Sequence, residues 1–175
     1  DRRKLLNGNS FRLGVSGSGK SFSAKEEIVD LALSTEDDIL ILDPESEFAS
    51  LVEALNGEVI RISATSDTHL NALDMDSAYG NDRNPLIEKS EFILSLFEQL
   101  VGAGNLSAKE KSILDRCTAD VYRDYMRGGY QGQVPTLKDL YRQLMLQPEE
   151  EARGLALSSE LFINGSLNTF AQETN

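Results

Sequence analysis

The amino-acid sequence predicts an α/β fold in which parallel strands are joined by crossover helices, followed by an all-α subdomain. Over residues 1–80, short apolar runs alternate with stretches of helical apolar spacing, a pattern typical of strands connected by helices. A glycine-rich stretch separates the first apolar run from the first helical stretch. Beyond residue 80 the apolar spacing is helical throughout. We therefore expect two domains, residues 1–80 and residues 81–175.

Three strands are expected in the first domain, at residues 11–15, 39–42 and 58–62. The second is the uninterrupted apolar run Ile-Leu-Ile-Leu, and such a run suits a parallel strand that is covered on both faces. The third alternates apolar and polar side chains, as a strand does. Two helices are expected between the strands, from the apolar spacing over residues 24–32 and from the short pattern at residues 47–55.

Four helices are expected in the second domain. Pro85 is typical of a first helical turn, and Ser107 with Glu110 matches a capping box ahead of an apolar helix face. The third helix is expected over residues 135–146 and the fourth over residues 149–162. The sequence therefore predicts a helical subdomain that follows half of an α/β core.

The composition limits the class of partner. Hydrophobic residues make up 40% and charged residues 26% of the chain, which is ordinary for a folded globular domain. The net charge is −12 at pH 7, and binding to a nucleic-acid backbone is driven by Lys and Arg, so we predict no direct nucleic-acid binding. Arg116, Arg123 and Arg127 could line a basic patch, but we favour solvated charge on a helix. Cys117 is the only cysteine, which excludes an internal disulfide.

The stretch GVSGSGKS, residues 14–21, matches the Walker A pattern G-x-x-x-x-G-K-[ST]. Glycines let such a loop curl so that backbone N–H groups point inward and form a nest for anions. Lys20 can bridge the β- and γ-phosphate oxygens of a nucleotide, and the Ser21 hydroxyl can be a ligand of Mg²⁺. A strand before the loop and a helix after it are the context that this motif requires. The residues predicted to bind ATP and Mg²⁺, with Ser21 as the metal ligand, are Gly14, Ser16, Gly17, Ser18, Gly19, Lys20, Ser21 and Phe22.

Hydrolysis of a nucleotide also requires acidic residues near the phosphates. Only the segment ILILDPE, residues 39–45, is similar to a Walker B strand. We interpret Asp43 as an acid at a strand tip near the site, with the Walker B strand expected elsewhere. Asp43 and Pro44 could instead end the strand, with Glu45 and Glu47 at the positive end of the next helix. Since no later segment supplies the missing strand or a catalytic glutamate, we expect a nucleotide-binding half that does not hydrolyse ATP by itself.

Several segments, taken in chain order, resemble the ATPases of conjugative transfer and type IV secretion. These ATPases are VirB/Tra-type motors of the HerA–FtsK superfamily, and the likeness covers nearly the whole chain. The combination is far more specific than the phosphate-binding loop alone. The segments are NGNSFRLGVSGSGKSFSAKEEI, ILILDPESEF, EVIRIS followed by HLNALDM, KSEFILSLFEQL, SILDRC, PTLKDLY and GSLNTFAQETN.

The resemblance implies a RecA-like core with an inserted helical subdomain. It also implies ATP hydrolysis at the subunit boundaries of a hexameric ring, with ATP and Mg²⁺ as cofactors. The implied location is the cytoplasm, peripheral to the inner face of the bacterial cell membrane. The implied partners are the components of a membrane-embedded type IV secretion channel.

The family pattern also implies roles for single residues. The phosphate and magnesium ligands are Gly17, Gly19, Lys20 and Ser21. Asp43 and Glu47 carry over as acids beside the site, so the resemblance implies that Lys20, Asp43 and Glu47 are catalytic. The Walker B strand, the catalytic glutamate and the arginine finger are expected outside this chain.

Arg12 departs from the family pattern, which usually has an apolar residue at this position of the strand before the loop. A central strand covered on both faces has no favourable place for an unpaired guanidinium. Either Arg12 reaches an exposed edge, or the strand is less covered than is usual in the family.

Two other classes of function stay open. A small-molecule P-loop kinase also combines a phosphate-binding loop with a helical lid, although the sequence has no Arg-rich lid segment. A non-catalytic module would use the nucleotide only to stabilise the contacts of an assembly. Transfer of a phosphoryl group to a small acceptor distinguishes the kinase from both other functions.

Overall fold

The computed structural model of the chain describes residues 9–63, 66–79, 84–165 and 167–175. Within these ranges it contains six α-helices, one 3-10 helix and no β-strand. The α-helices are α1 (Lys20–Ser34), α2 (Ala49–Ala54), α3 (Pro85–Val101), α4 (Ala108–Arg127), α5 (Leu137–Met145) and α6 (Glu150–Ile163), and the 3-10 helix is Asn168–Ala171.

Contacts between residues divide the chain into two compact units, Asp1–Ile60 (unit 1) and Arg61–Asn175 (unit 2). The domain boundary predicted between residues 80 and 81 lies outside the described residues, so that division stays a prediction. Unit 1 has no buried side chain among its described residues, and polar contacts hold its elements instead. The hydrophobic core belongs to unit 2.

The predicted parallel strands, and with them the α/β fold class with a partial RecA-like core, are wrong for the described residues. Segments 11–15, 39–42 and 58–62 contain no strand, and most of their apolar side chains are exposed, by 86% at Phe11 and 91% at Leu40. An apolar run shows that a segment favours burial. A strand forms only when a neighbouring segment pairs with its backbone N–H and C=O groups, and no such pairing occurs in the part of the chain that is described.

Unit 2 is built from α3 to α6, with α3 packed on α4, α4 on α5 and α5 on α6. Both hydrogen bonds of the capping box predicted at Ser107 and Glu110 are present at the start of α4. Burial of one large apolar side chain contributes about 1.5–3 kcal/mol to stability. The large side chains closed off from solvent include Phe97, Leu114, Tyr122, Leu140 and Leu155. No helix in the described ranges has both the length and the apolar content needed to cross a membrane.

Two tyrosines of α4 hold the segment at residues 67–76. The Tyr122 hydroxyl donates to the Leu73 carbonyl oxygen at 2.6 Å, and the Tyr125 hydroxyl donates to the Met75 carbonyl oxygen at 3.0 Å. Leu73 and Met75 are both buried in the core. Because the tyrosines are three residues apart, they lie on one face of α4 and bind alternate residues of the segment.

The last two residues of the chain bind the same segment. The side-chain oxygen of Asn175 accepts from the His69 N–H at 2.8 Å, and its side-chain nitrogen donates to the Asp67 carbonyl oxygen at 2.8 Å. The Thr174 hydroxyl accepts from the Asn71 N–H at 2.9 Å. The partners in these bonds are 103 to 108 residues apart in sequence, so the start and the end of unit 2 lie side by side.

Lys89 is buried on α3, which is unusual for a charged side chain. Its ammonium lies 4.1 Å from the centre of the Tyr79 ring and 4.9 Å from that of the Phe92 ring. It also donates to the Ala72 carbonyl oxygen at 3.4 Å. Burial lowers the pKa of Lys89 to about 8, although the negative charge of Asp74 acts in the opposite direction. Contacts with the ring faces replace part of the water that the ammonium loses.

Replacing Tyr122 with Phe is expected to lower the free energy of unfolding by about 1–3 kcal/mol, because the buried Leu73 carbonyl oxygen loses its donor. Tyr125→Phe is the matched control, since Tyr125 makes the same type of bond at a less buried position, and a smaller loss is expected. Urea denaturation followed by circular dichroism measures both values. Equal losses in the two variants would argue against a special role for the buried bond.

Relative to a Lys89→Met variant, the free energy of unfolding is expected to rise by about 2 kcal/mol between about pH 7.5 and 9.5. The folded-state pKa of Lys89 is about 8, below the ordinary value of 10.5. Over this range the unfolded state therefore keeps a proton that the folded state has released, and stability increases with pH. Urea denaturation of both proteins at several pH values measures the difference, which should not depend on pH if the ammonium is solvated.

Candidate functional site

The glycine-rich stretch forms a turn that leads directly into α1. Gly17 and Gly19 have φ angles of 76° and 84°, in the left-handed region that residues with a Cβ disfavour. Gly19 is the N-cap of α1, and Lys20 is the first residue of this helix. The two glycines therefore let the chain turn and begin a helix without backbone strain.

Gly14 is a point of close approach within the loop. A Cβ at this position would lie 2.3 Å from the Ser18 Oγ, so the two sides of the loop are in contact there. The Lys20 ammonium donates to the carbonyl oxygens of Gly14 and Val15, in both cases at 2.9 Å. The lysine side chain therefore bridges the two ends of the loop.

The N-terminus of α1 has a partial positive charge that no nearby carboxylate of its first turn neutralises. The first amides of a helix have no acceptor within the helix, and the aligned peptide dipoles add roughly half a positive charge at this end. The first turn of α1 contains no acidic side chain, whereas the first turns of α3, α4 and α6 contain glutamates. An anion at the start of α1 would therefore meet no repulsion from a carboxylate in that turn.

The loop residues fit a nucleotide phosphate and Mg²⁺ in their chemistry. Ser21 and Phe22 are the second and third residues of α1, and both are exposed, as are the residues 16–19 before them. A hydroxyl oxygen such as that of Ser21 is the kind of ligand that Mg²⁺ takes beside phosphate oxygens and water. Across the described ranges, no cluster of three or more His, Cys, Asp or Glu side chains could hold a metal. The assignment of the loop residues to ATP and Mg²⁺ stays a prediction.

Asp43 is bound by the backbone of its own turn. Its carboxylate accepts from the Phe48 N–H at 2.8 Å, and Phe48 is the N-cap of α2. This hydrogen bond, with weaker ones from neighbouring amides of the turn, lowers the pKa of Asp43 even though desolvation raises it. Glu47 lies exposed in the same turn. The structure thus gives Asp43 a capping contact, and the role of Asp43 and Glu47 as acids beside the site stays a prediction.

The turn that contains Asp43 also contacts α1. The Lys25 ammonium lies 5.2 Å from the centre of the Phe48 ring, at a distance typical of a cation–π contact. Lys25 follows Lys20 by about one and a half helical turns. The loop, α1 and the Asp43 turn are therefore connected within unit 1.

Arg12 forms an ion pair with Glu27 of α1. The two side chains are 34% and 32% exposed, so the guanidinium is both paired and partly solvated. This contact explains how Arg12 is accommodated before the loop. The sequence left two explanations for Arg12: an exposed edge, or a segment less covered than is usual in the family. The segment before the loop is less covered than a central strand would be, which agrees with the second explanation.

The three arginines considered as a basic patch on α4 each form an ion pair with an acidic side chain. The pairs are Arg116–Glu149, Arg123–Asp120 and Arg127–Asp124. An acidic side chain beside each arginine reduces the positive field that these arginines would present to a partner. Charge on a solvated helix, the interpretation favoured from the sequence, is therefore what α4 contains.

Unit 2 also contains an apolar cavity of about 320 Å³ that sequence reasoning missed. No local pattern predicts such a cavity, because its shape depends on how the helices pack. Its lining comes from α3, α5, α6, the 3-10 helix and two residues that precede α3. The lining side chains are Leu70, Ala72, Phe92, Leu96, Leu100, Leu137, Ser159, Phe162 and Phe170.

Comparison with known proteins gives a family match and a structural match. The family model described as helicase HerA, central domain (DUF87), matches residues 13–172. Among solved structures, the chain is similar to VirB4 of Thermoanaerobacter pseudethanolicus, with a TM-score of 0.69 and 24% sequence identity. The match covers 93% of this chain and 46% of the VirB4 chain, so this chain spans about half the length of that protein. No curated protein matches the chain.

The pKa of the Asp43 carboxyl group is expected to lie below its ordinary value of 3.8 in the folded protein and to return to that value in urea. Because folding lowers this pKa, the carboxylate stabilises the fold at neutral pH. That contribution is lost as the pH falls from the ordinary value through the folded-state pKa. Carbon-13 NMR titration of the carboxyl group measures both values, with Asp43→Asn to assign the signal. The same pKa with and without urea would show that the capping bond is absent in solution.

Proposed function

Because the chain belongs to the family described as helicase HerA, central domain, we propose that it is the nucleotide-binding segment of an ATP-hydrolysing motor for conjugative DNA transfer or type IV secretion. The resemblance to the HerA–FtsK superfamily is confirmed by the family match over residues 13–172. The more specific assignment is supported by the loop before α1, whose groups suit phosphate oxygens.

The observation that carries the proposal is a lysine that bridges a glycine-rich loop at the positive start of a helix. The Lys20 ammonium lies 2.9 Å from the carbonyl oxygens of Gly14 and Val15, and it can exchange them for the β- and γ-phosphate oxygens of ATP. The amides of the loop and of the first turn of α1 then bind the phosphate charge. A flexible glycine–serine linker would need neither this lysine nor left-handed backbone at Gly17 and Gly19.

Ser21 is the proposed ligand of Mg²⁺. When bound, Mg²⁺ neutralises charge on the phosphate oxygens. The chain contributes a hydroxyl group at the second position of α1, and it keeps carboxylates out of the first turn. Phosphate oxygens and water complete the set of ligands.

The activity and partners of the whole protein belong to the same proposal. We expect ATP hydrolysis in a hexameric ring, peripheral to the inner face of a bacterial membrane and in contact with a secretion channel. The Walker B strand and the catalytic glutamate would lie outside this chain, which therefore binds ATP without hydrolysing it. The capping contact of Asp43 with the Phe48 N–H agrees with a structural role for this acid.

Replacing Lys20 with Ala is expected to raise the dissociation constant for a magnesium–ATP analogue by at least about tenfold, since a hydrogen bond to a charged group contributes about 1.5–3 kcal/mol. Lys25→Ala is the matched control. It removes the same charge from the same helix, but its ammonium contacts the Phe48 ring, so the affinity should not change. Isothermal titration calorimetry of the 175-residue chain with a non-hydrolysable analogue measures both variants.

Ser21→Ala should weaken binding only when Mg²⁺ is present, which tests the metal ligand separately.

Three results would overturn the proposal. One is that the chain without substitutions binds no nucleotide, and another is that the two lysine variants lose the same affinity. The third is transfer of the γ-phosphoryl group to a small acceptor, which would favour a kinase.

A further inference from the structure

We propose that Arg12 and Glu27 are positioning residues, whose ion pair holds the loop in the shape that binds phosphate. This inference rests on the proposed function of the loop. Neither residue belongs to the Walker A motif: Arg12 precedes Gly14 by two residues, and Glu27 lies about two helical turns after Lys20. We call the Arg12–Glu27 pair the clasp.

The two sides of the loop are joined at two levels. At the loop, the Lys20 ammonium contacts the carbonyl oxygens of Gly14 and Val15. Farther along α1, the Glu27 carboxylate binds the Arg12 guanidinium. The segment before the loop therefore runs back beside the first two turns of α1, and the loop connects the segment to the helix.

Neither hydrophobic burial nor strand pairing orders the segment before the loop. Phe11, Leu13 and Val15 are between 78% and 86% exposed, so hydrophobic burial contributes little there. No strand pairing orders residues 9–13 in the structure as described. The clasp is a direct contact between this segment and α1.

Phosphate binding increases the importance of the clasp. When the Lys20 ammonium turns to phosphate oxygens, it releases the carbonyl oxygens of Gly14 and Val15, and the contact at the loop is lost. The clasp remains, because neither of its side chains takes part in phosphate binding. A loop that is already held in place loses less conformational freedom when the nucleotide binds, and its affinity is correspondingly higher.

The clasp can be tested by exchanging its charges in the 175-residue chain. Affinity for a magnesium–ATP analogue is measured by isothermal titration calorimetry for Arg12→Glu, for Glu27→Arg and for the double exchange. A partly exposed ion pair changes an equilibrium by up to about fivefold, so each single variant should bind about two- to fivefold more weakly. The double exchange restores the pair with reversed polarity and should return the affinity to within about twofold of the unchanged chain.

Lys109→Ala is the matched control. It breaks another surface ion pair, Lys109–Glu151 at 2.9 Å, which lies in unit 2, and it should leave nucleotide affinity unchanged. Hydrogen exchange without nucleotide gives a second measurement. The amides of residues 14–19 should exchange faster in both single variants and return toward the original rate in the double exchange.

The outcomes separate the clasp from the function of the loop. If the chain binds nucleotide but the single variants bind equally well, or the double exchange stays as weak as the single variants, the clasp is overturned and the proposed function stands. If the unchanged chain binds no nucleotide, both proposals fail. Loss of affinity in the Lys109→Ala control would show a general effect of surface charge and would also overturn the clasp.

Discussion

The geometry of the loop before α1 depends on left-handed backbone at Gly17 and Gly19, followed at once by a helix whose first turn has no carboxylate. Glycine adopts this backbone without strain, although its greater freedom in the unfolded chain has an entropic cost. Unit 1 has no buried side chain among its described residues to offset that cost. Its order depends on polar contacts instead: the lysine within the loop, the Arg12–Glu27 pair and the capped turn at Asp43.

Unit 2 is stabilised by a different balance of forces. Most apolar side chains of its core come from four helices. The Tyr122 hydroxyl of α4 donates to the Leu73 carbonyl oxygen at a buried position, where an acceptor without a partner would be costly. Hydrogen bonds from Thr174 and Asn175 then join the end of the unit to its beginning. Burial therefore orders unit 2, while directional polar contacts order the loop region of unit 1.

The parts of the fold that were predicted correctly have local causes. The capping box of Ser107 and Glu110 and the helix that begins at Pro85 are set by residues three or fewer positions apart. The prediction of strands at residues 11–15, 39–42 and 58–62 was wrong. Strand formation depends on pairing with a neighbouring segment, and the apolar runs themselves do not determine which segment lies beside them. For Asp43 the sequence left two interpretations open, and the hydrogen bond from Phe48 is the contact that the structure adds.

The sequence by itself determined the order of chemical groups in the glycine-rich stretch before α1, the family and the starts of several helices. Each of these is contained in a short stretch of chain or in a set of motifs in a fixed order. Only the tertiary structure decided that Arg12 pairs with Glu27, that the Lys89 ammonium contacts the Tyr79 and Phe92 rings and that a cavity forms beside Phe92. Except for Lys89 and Phe92, which are neighbours on α3, these contacts join residues that no local pattern relates, and their geometry follows from how the elements pack.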